Sequence, residues 1–244
     1  MMTRSDPYNP LDLEALGESL LRHLERQPPD PLTGVASFVG SGIYALYYRG
    51  DAEPYGSLGR YNLEQNCVLP IYVGRAKGPG ARRGISPLEP VRQPLLWQRI
   101  QEHRRSISNV VNLNAEHFMV RALVVMPIWV PLAEAMAIRQ YRPVWNVRVA
   151  GFGIHAPGGG RQQQQISEWD ELHPGRSFAR ALRQRQSAVP ASRLAQLKVG
   201  IDADVAEARK RRLLEIPRQS ELPPEPVRRA PRSRSASSPP PRRR

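Results

Sequence analysis

The apolar positions of this chain follow two spacings. In 42–48, Gly-Ile-Tyr-Ala-Leu-Tyr-Tyr, and in 68–74, Val-Leu-Pro-Ile-Tyr-Val-Gly, β-branched and aromatic residues crowd between turn residues, which predicts two strands. The run Phe-Met-Val-Arg-Ala-Leu-Val-Val at 118–125 predicts a third. Elsewhere the spacing is helical. Leu13, Leu16, Leu20 and Leu24 predict a helix over 9–26, with Asn9 as its cap, Pro10 at its first position and the Pro-rich 27–31 as its stop. Leu96, Ile100 and Ile107 mark the buried stripe of a helix over 94–107. Pro127 and Pro131 turn the chain into another over 132–141. Leu194, Leu197, Val205, Leu213 and Leu214 predict one or two helices within 191–215.

Two strands joined by a loop, each with one phenol, bring Tyr44 and Tyr72 over one sheet face. A strand tyrosine taken alone is more often packing than chemistry, so the rest of the chain has to decide. The connection 49–70 is longer than a tight hairpin needs and reads as a turn-rich insertion. Its Arg60, Tyr61 and Asn62 suit stacking and base-edge hydrogen bonds, so Arg60 and Asn62 are candidate DNA contacts. Directly after the second strand, 75–84 mixes glycines with Arg75, Lys77, Arg82 and Arg83. Glycines let backbone amides approach an anion, and the four cations favour phosphate.

Composition sharpens this. The 244 residues are 40% hydrophobic and 24% charged, ordinary for a globular body, but the formal charge is +14. Such an excess of basic residues predicts a polyanionic partner, with nucleic acid ahead of a membrane surface. No run of about 18 apolar residues predicts a transmembrane helix, and no signal-peptide pattern opens the chain. A soluble, cytoplasmic protein without membrane association is expected. The single Cys67 excludes an intrachain disulfide and a cysteine-cluster zinc site. From Pro217 onward eight Arg face two Glu among eight Pro, with almost no large apolar side chain. Such a tail is expected to be disordered and to add sequence-independent DNA affinity.

The candidate chemistry lies between these parts. Arg99 and His103 are four apart on a predicted helix and project side by side. Glu134 falls in the first turn of the helix over 132–141, where the peptide dipole favours the ionised carboxylate. Asn146 follows twelve residues later. Tyr44 in Gly-Ile-Tyr, Tyr72 in Tyr-Val-Gly, Arg99, His103, Glu134 and Asn146, in this order, resemble the GIY-YIG nuclease family over about residues 40–148. Those are metal-dependent enzymes that hydrolyse DNA phosphodiesters.

The resemblance implies an α+β fold, a small three-stranded antiparallel sheet flanked by helices, enlarged by insertions. It implies that Glu134 holds one divalent ion, Mg²⁺ by oxygen preference, and that Arg99 contacts the scissile phosphate. Tyr44 and Tyr72 would position and deprotonate the attacking water, and His103 would be a second proton-handling group. Asn146 would keep the Glu134 helix end and the phosphate site in register. A free phenol, with a pKa of about 10, needs a nearby cation to act as a base, from Arg75, Arg99 or the metal. Which tyrosine does so stays open.

The glycine-rich stretch at 151–160 and the segment 169–176, Trp-Asp-Glu-Leu-His-Pro-Gly-Arg, are similar to the restriction-enzyme branch that cuts CCGCGG. That branch implies a Type II enzyme acting on double-stranded DNA as a homodimer, with a cognate methyltransferase protecting the host. A repair or homing nuclease, or a non-catalytic basic DNA-binding protein on the same scaffold, stays open as an alternative. His155, Asp170 and His173 fit no standard metal-ligand spacing. The expected organisation is a helical extension (1–34), the nuclease domain with its insertions (35–185), a second helical extension (186–216) and the tail (217–244).

Overall fold

One strand, β2 (Gly42–Tyr48), organises the molecule: all seven of its residues are buried. The computed structural model describes residues 12–77, 86, 88–154, 165–182 and 189–215. Asn9, Pro10, Arg82, Arg83, His155 and the expected disordered tail lie outside the described residues. The chain divides into a unit spanning Met1–Ala208 and a second, Arg209–Arg244, of which only 209–215 are described.

β2 pairs antiparallel with β3 (Tyr72–Ala76) on one side and β4 (Phe118–Val124) on the other. Beyond β4 a two-residue strand, β1 (Asp30–Pro31), closes the order β1-β4-β2-β3. The sheet therefore has four strands where three were expected. After the prolines stop the first helix, the chain stays extended and meets the free edge of β4, and proline is tolerated on an edge strand.

Side chains alternate across β2, so its two faces differ. Ile43, Ala45 and Tyr47 pack with Leu21 and Leu24 of α1 (Leu13–Arg26) and with Val130, Ala133 and Ala137 of α4 (Val130–Tyr141). Asp12 caps α1, accepting from the Glu14 and Ala15 amides at 3.1 and 3.0 Å. Tyr44, Leu46 and Tyr48 face the other way, into an aromatic core with Leu96 and Ile100 of α3 (Leu95–Ser108) and Leu58 and Tyr61 of α2 (Gly56–Glu64). Trp145 of α5 (Val144–Val147), Trp169 of α6 (Glu168–Leu172) and Leu197, Ile201 and Val205 of α7 (Ala191–Glu215) complete it.

Helix α2 is a correction to the reading of 49–70 as loop. Asn62 within it is also corrected as a DNA contact. It is fully buried, its Nδ2 donates to the carbonyls of Tyr48 and Leu69 at 3.0 and 2.9 Å, and its Oδ1 accepts from the Leu69 amide at 2.9 Å. It ties α2 to β2, leaving no polar atom to meet a base. Among the described residues no helix is long and apolar enough to cross a membrane.

Candidate active site

The register of β2 against β3 places Tyr44 opposite Gly74 and Leu46 opposite Tyr72, which brings the two phenols onto one face with ring centres 6.1 Å apart. Gly74 is required by this contact: a Cβ there would occupy the place of the Tyr44 hydroxyl. Helix α3 lies over the same face and carries Arg99 and His103 one turn apart. The buried His103 ring sits 5.5 Å from Tyr44, 5.2 Å from Tyr72 and 4.5 Å from Phe152, on which it stacks.

Glu134 reaches the same end of the sheet from α4, where its carboxylate meets the Arg75 guanidinium at 3.0 Å. Its placement corrects one expectation. Helix α4 begins at Val130, so Glu134 lies in the second turn and the first turn holds no acid. The dipole effect falls off within the first turn. Burial raises the Glu134 pKa, while the charges of Arg75 and then Arg99 oppose that rise. Two arginines, rather than a helix end, favour the carboxylate.

Burial also raises both phenols. Tyr44 is fully buried and held well above 10, with Tyr72 adding to the rise and Arg99 opposing it. Its Oη meets no hydrogen-bond partner of ordinary geometry. Tyr72, less fully buried, is raised too, with Arg99 the main opposing charge and Glu134 adding to the rise. Among the described residues, the charge of Arg99 acts on Tyr44, Tyr72 and Glu134 alike. Its guanidinium is aimed by hydrogen bonds to Glu102 at 2.9 Å and to the Gly153 carbonyl at 3.0 Å.

Asn146 is tied to β3. Its Oδ1 accepts from the Val73 amide at 2.8 Å and its Nδ2 donates to the Val73 carbonyl at 2.9 Å. β3 is an edge strand, and Asn146 supplies the partner that its outer side lacks. It fixes the residue between Tyr72 and Gly74.

Arg75 and Lys77 are exposed at the end of β3, and Arg75 pairs with Glu134. Arg60 is elsewhere, lining a cleft of about 660 Å³ with Arg49, His117 and Lys198 beyond the Tyr48 end of β2. The structure brings together Tyr44, Tyr72, Arg99, His103, Glu134 and Asn146 and leaves Arg60 apart. Asp170 and His173 are structural: Asp170 forms a buried pair with Arg176 at 2.6 Å, and His173 bonds to Tyr55 and Asn112. Among the described residues no three His, Cys, Asp or Glu side chains cluster as metal ligands. Phe152 and Gly153, which wall the site, escaped the sequence reading, although the glycine-rich stretch that contains them was its one visible signal.

Two phenols over one sheet face, a helical Arg and His above them and a carboxylate at the rim are the arrangement of a GIY-YIG nuclease domain. More narrowly, the sequence model of the Eco29kI GIY-YIG domain matches residues 36–198, and the chain belongs to this restriction endonuclease family. It is a nuclease acting on DNA. No curated protein matches the chain.

Proposed function

We propose that the protein is a Type II restriction endonuclease that cuts both strands of double-stranded DNA at a short palindrome, with CCGCGG as the candidate site. What carries the reading is the convergence of Tyr44, Tyr72, His103, Arg99 and Glu134 from four separate elements onto one end of the sheet. Core tyrosines need no arginine, histidine and carboxylate around them.

The donor set fits one hard cation. Glu134 is a single half-buried carboxylate whose cationic partner, Arg75, is half exposed. Mg²⁺ keeps several waters and needs only one or two carboxylates, so Glu134 with phosphate oxygens would hold it. Bound there, the ion would supply charge neutralisation at the phosphate and the departing 3′ oxygen.

The remaining work falls to the chain. Arg99 presents its planar fork to the scissile phosphate, oriented by Glu102 and Gly153. Tyr44 and Tyr72 hold the attacking water, and one of them takes its proton. Burial opposes the phenolate in both, so Arg99 is the resident charge that makes the transfer feasible. His103, packed between the two rings, is the second group able to accept a proton. Asn146 keeps Tyr72 in register.

Arg75, Lys77, Arg82 and Arg83 bind the DNA backbone beside the site, and Arg60 contacts it from α2. One such site cuts one strand, so cutting a palindrome calls for a homodimer. A cognate methyltransferase protects the host DNA in the same cytoplasm. The test is incubation of the purified protein with phage DNA and Mg²⁺. Discrete fragments are expected. A smear would mean a nonspecific nuclease, and retarded but uncut DNA would leave only a binding protein.

A further inference from the structure

Residues 151–154 lie outside the set of residues expected to react, yet they form one wall of the site. Their backbone is threaded between two arginines. The carbonyls of Gly151, Phe152 and Ile154 each accept from Arg176 at 3.1 Å. The carbonyl of Gly153 turns the other way and accepts from Arg99. Arg176 is itself 2% exposed, clasped by both oxygens of Asp170 at 2.6 and 2.7 Å, with the Trp169 and Phe178 rings 4.6 and 4.8 Å from its guanidinium. All the donors such a clasp needs are used, so the strip it holds has one position.

That position bears on Tyr72. The Phe152 ring stands edge-on to the Tyr72 ring at 4.8 Å while stacking on His103. Gly153 abuts the Tyr72 hydroxyl: a Cβ at this position would lie 2.6 Å from Tyr72 Oη and 3.6 Å from Cζ. The first distance is a collision and the second an ordinary contact. Gly153 is not among the glycines with positive φ, so its backbone does not require glycine. Only the hydroxyl does.

We propose that Gly153 is a positioning residue that seats the Tyr72 hydroxyl for cleavage, and that the Arg176–Asp170 clasp holds it in place. The inference rests on Tyr72 serving the cleavage step. Removing Arg176 would strand the Asp170 charge in the interior, so the test is made on Gly153.

Single-turnover cleavage of phage DNA with Mg²⁺ is measured for wild type, Gly153→Ala, Tyr72→Phe and the double variant, alongside DNA affinity without metal and thermal unfolding. Gly153→Ala is expected to slow cleavage by roughly ten- to a hundredfold, with DNA affinity within about twofold. On the Tyr72→Phe background the same substitution should cost nothing further, because the group it displaces is gone. A Gly153→Ala variant that cuts at the wild-type rate, or loses the same factor on both backgrounds, overturns the proposal. If Tyr72→Phe alone cuts normally, the role given to Tyr72 fails and this inference falls with it. If Tyr72→Phe is slow but Gly153→Ala is not, this inference alone fails. Should Gly153→Ala not fold, recovery of folding in the double variant supports the collision, and its absence overturns it.

Discussion

Two clusters in this molecule set tyrosine against histidine, and they are built to opposite ends. In the first, Trp145 Nε1 donates to Tyr55 Oη at 3.1 Å, Tyr55 donates to His173 Nε2 at 2.9 Å, and His173 Nδ1 donates to Asn112 Oδ1 at 3.0 Å. Asn112 then donates to the Leu172 carbonyl at 2.8 Å. Each donor finds an acceptor while every member stays neutral. In the second, Tyr44, Tyr72 and His103 crowd together, the Tyr44 hydroxyl has no partner of ordinary geometry, and the charge of Arg99 acts on both phenols and that of Glu134 on Tyr72. An unsatisfied buried hydroxyl costs about 1–3 kcal/mol. Fold stability alone would replace it with phenylalanine. The two clusters are joined through Phe152, whose ring lies 4.8 Å from Tyr72 and 4.5 Å from Trp145. The satisfied cluster thus packs, through Phe152, against the one that holds the Tyr44 hydroxyl.

The largest effect should come from removing the charge at the rim of the second cluster. Glu134→Ala is expected to slow Mg²⁺-dependent cleavage by at least roughly a thousandfold, about 4 kcal/mol. Stability should change by less than about 1 kcal/mol, since the pair with Arg75 is partly exposed. DNA binding should survive, because most affinity comes from cations elsewhere. Near wild-type cutting would make Glu134 only the ion-pair partner of Arg75.

Substituting phenylalanine across both clusters divides them directly. Tyr44→Phe and Tyr72→Phe should each slow cleavage by roughly a hundredfold, about 2.7 kcal/mol, with melting temperature unchanged or raised. Tyr55→Phe should do the reverse. It leaves Trp145 without an acceptor and His173 without a donor, at about 1–3 kcal/mol of stability, while the folded protein cuts normally. Slow cleavage by folded Tyr55→Phe would mean that the first cluster takes part in the chemistry.

How much of this was legible beforehand depended on how local each signal is. The strand with Tyr44 and the α3 helix were readable because β-branched runs and leucine-type stripes carry their own period. That Tyr44, Tyr72, Arg99, His103 and Glu134 belong together was legible only through the family resemblance that their order carries. β1 was not, since Asp30-Pro31 has no apolar pattern and pairs only because β4 offers an edge. α2 hid behind Gly56 and Gly59, and is held by the burial of Leu58, Tyr61 and Asn62. Glu134 drifted from the first turn to the second because α4 starts two residues earlier than Leu132. The Arg176 clasp joins residues more than twenty positions apart, and no periodicity announces such a pairing.

Acid should separate the clusters more gently. Burial, then the charge of Arg176, lowers the His173 pKa from 6.5 to about 3. Above pH 6.5 both the folded and unfolded forms are neutral at this group. Below it the unfolded chain takes up a proton that the folded one refuses, so stability falls as pH falls toward 3. The loss should be about 2 kcal/mol between pH 6.5 and 5, before most carboxylates protonate. Denaturant titrations at several pH values check this, and His173→Gln should flatten the slope in that window. An unchanged slope would show that His173 is already charged in the folded protein.

The smallest test uses two neighbours on α2, Asn62 and Arg60, which repeat the contrast between support and function within one helical turn. Asn62 is fully buried and makes three hydrogen bonds to the backbone of Tyr48 and Leu69. Asn62→Ala strands one amide and two carbonyls, partly relieved by whatever water can enter. A loss of about 1–2 kcal/mol is expected, seen as a fall of a few degrees in melting temperature, with the cleavage pattern unchanged. Arg60 is exposed at the cleft beside Arg49 and Lys198. Arg60→Ala should leave stability within about 0.5 kcal/mol. If Arg60 touches phosphate, binding weakens equally on all sequences and the slope of log affinity against log salt becomes shallower by about one. If it reads a base, the weakening is confined to the cut site. A stable Asn62→Ala variant that cuts at altered sites would return Asn62 to the DNA and take the supporting role from α2.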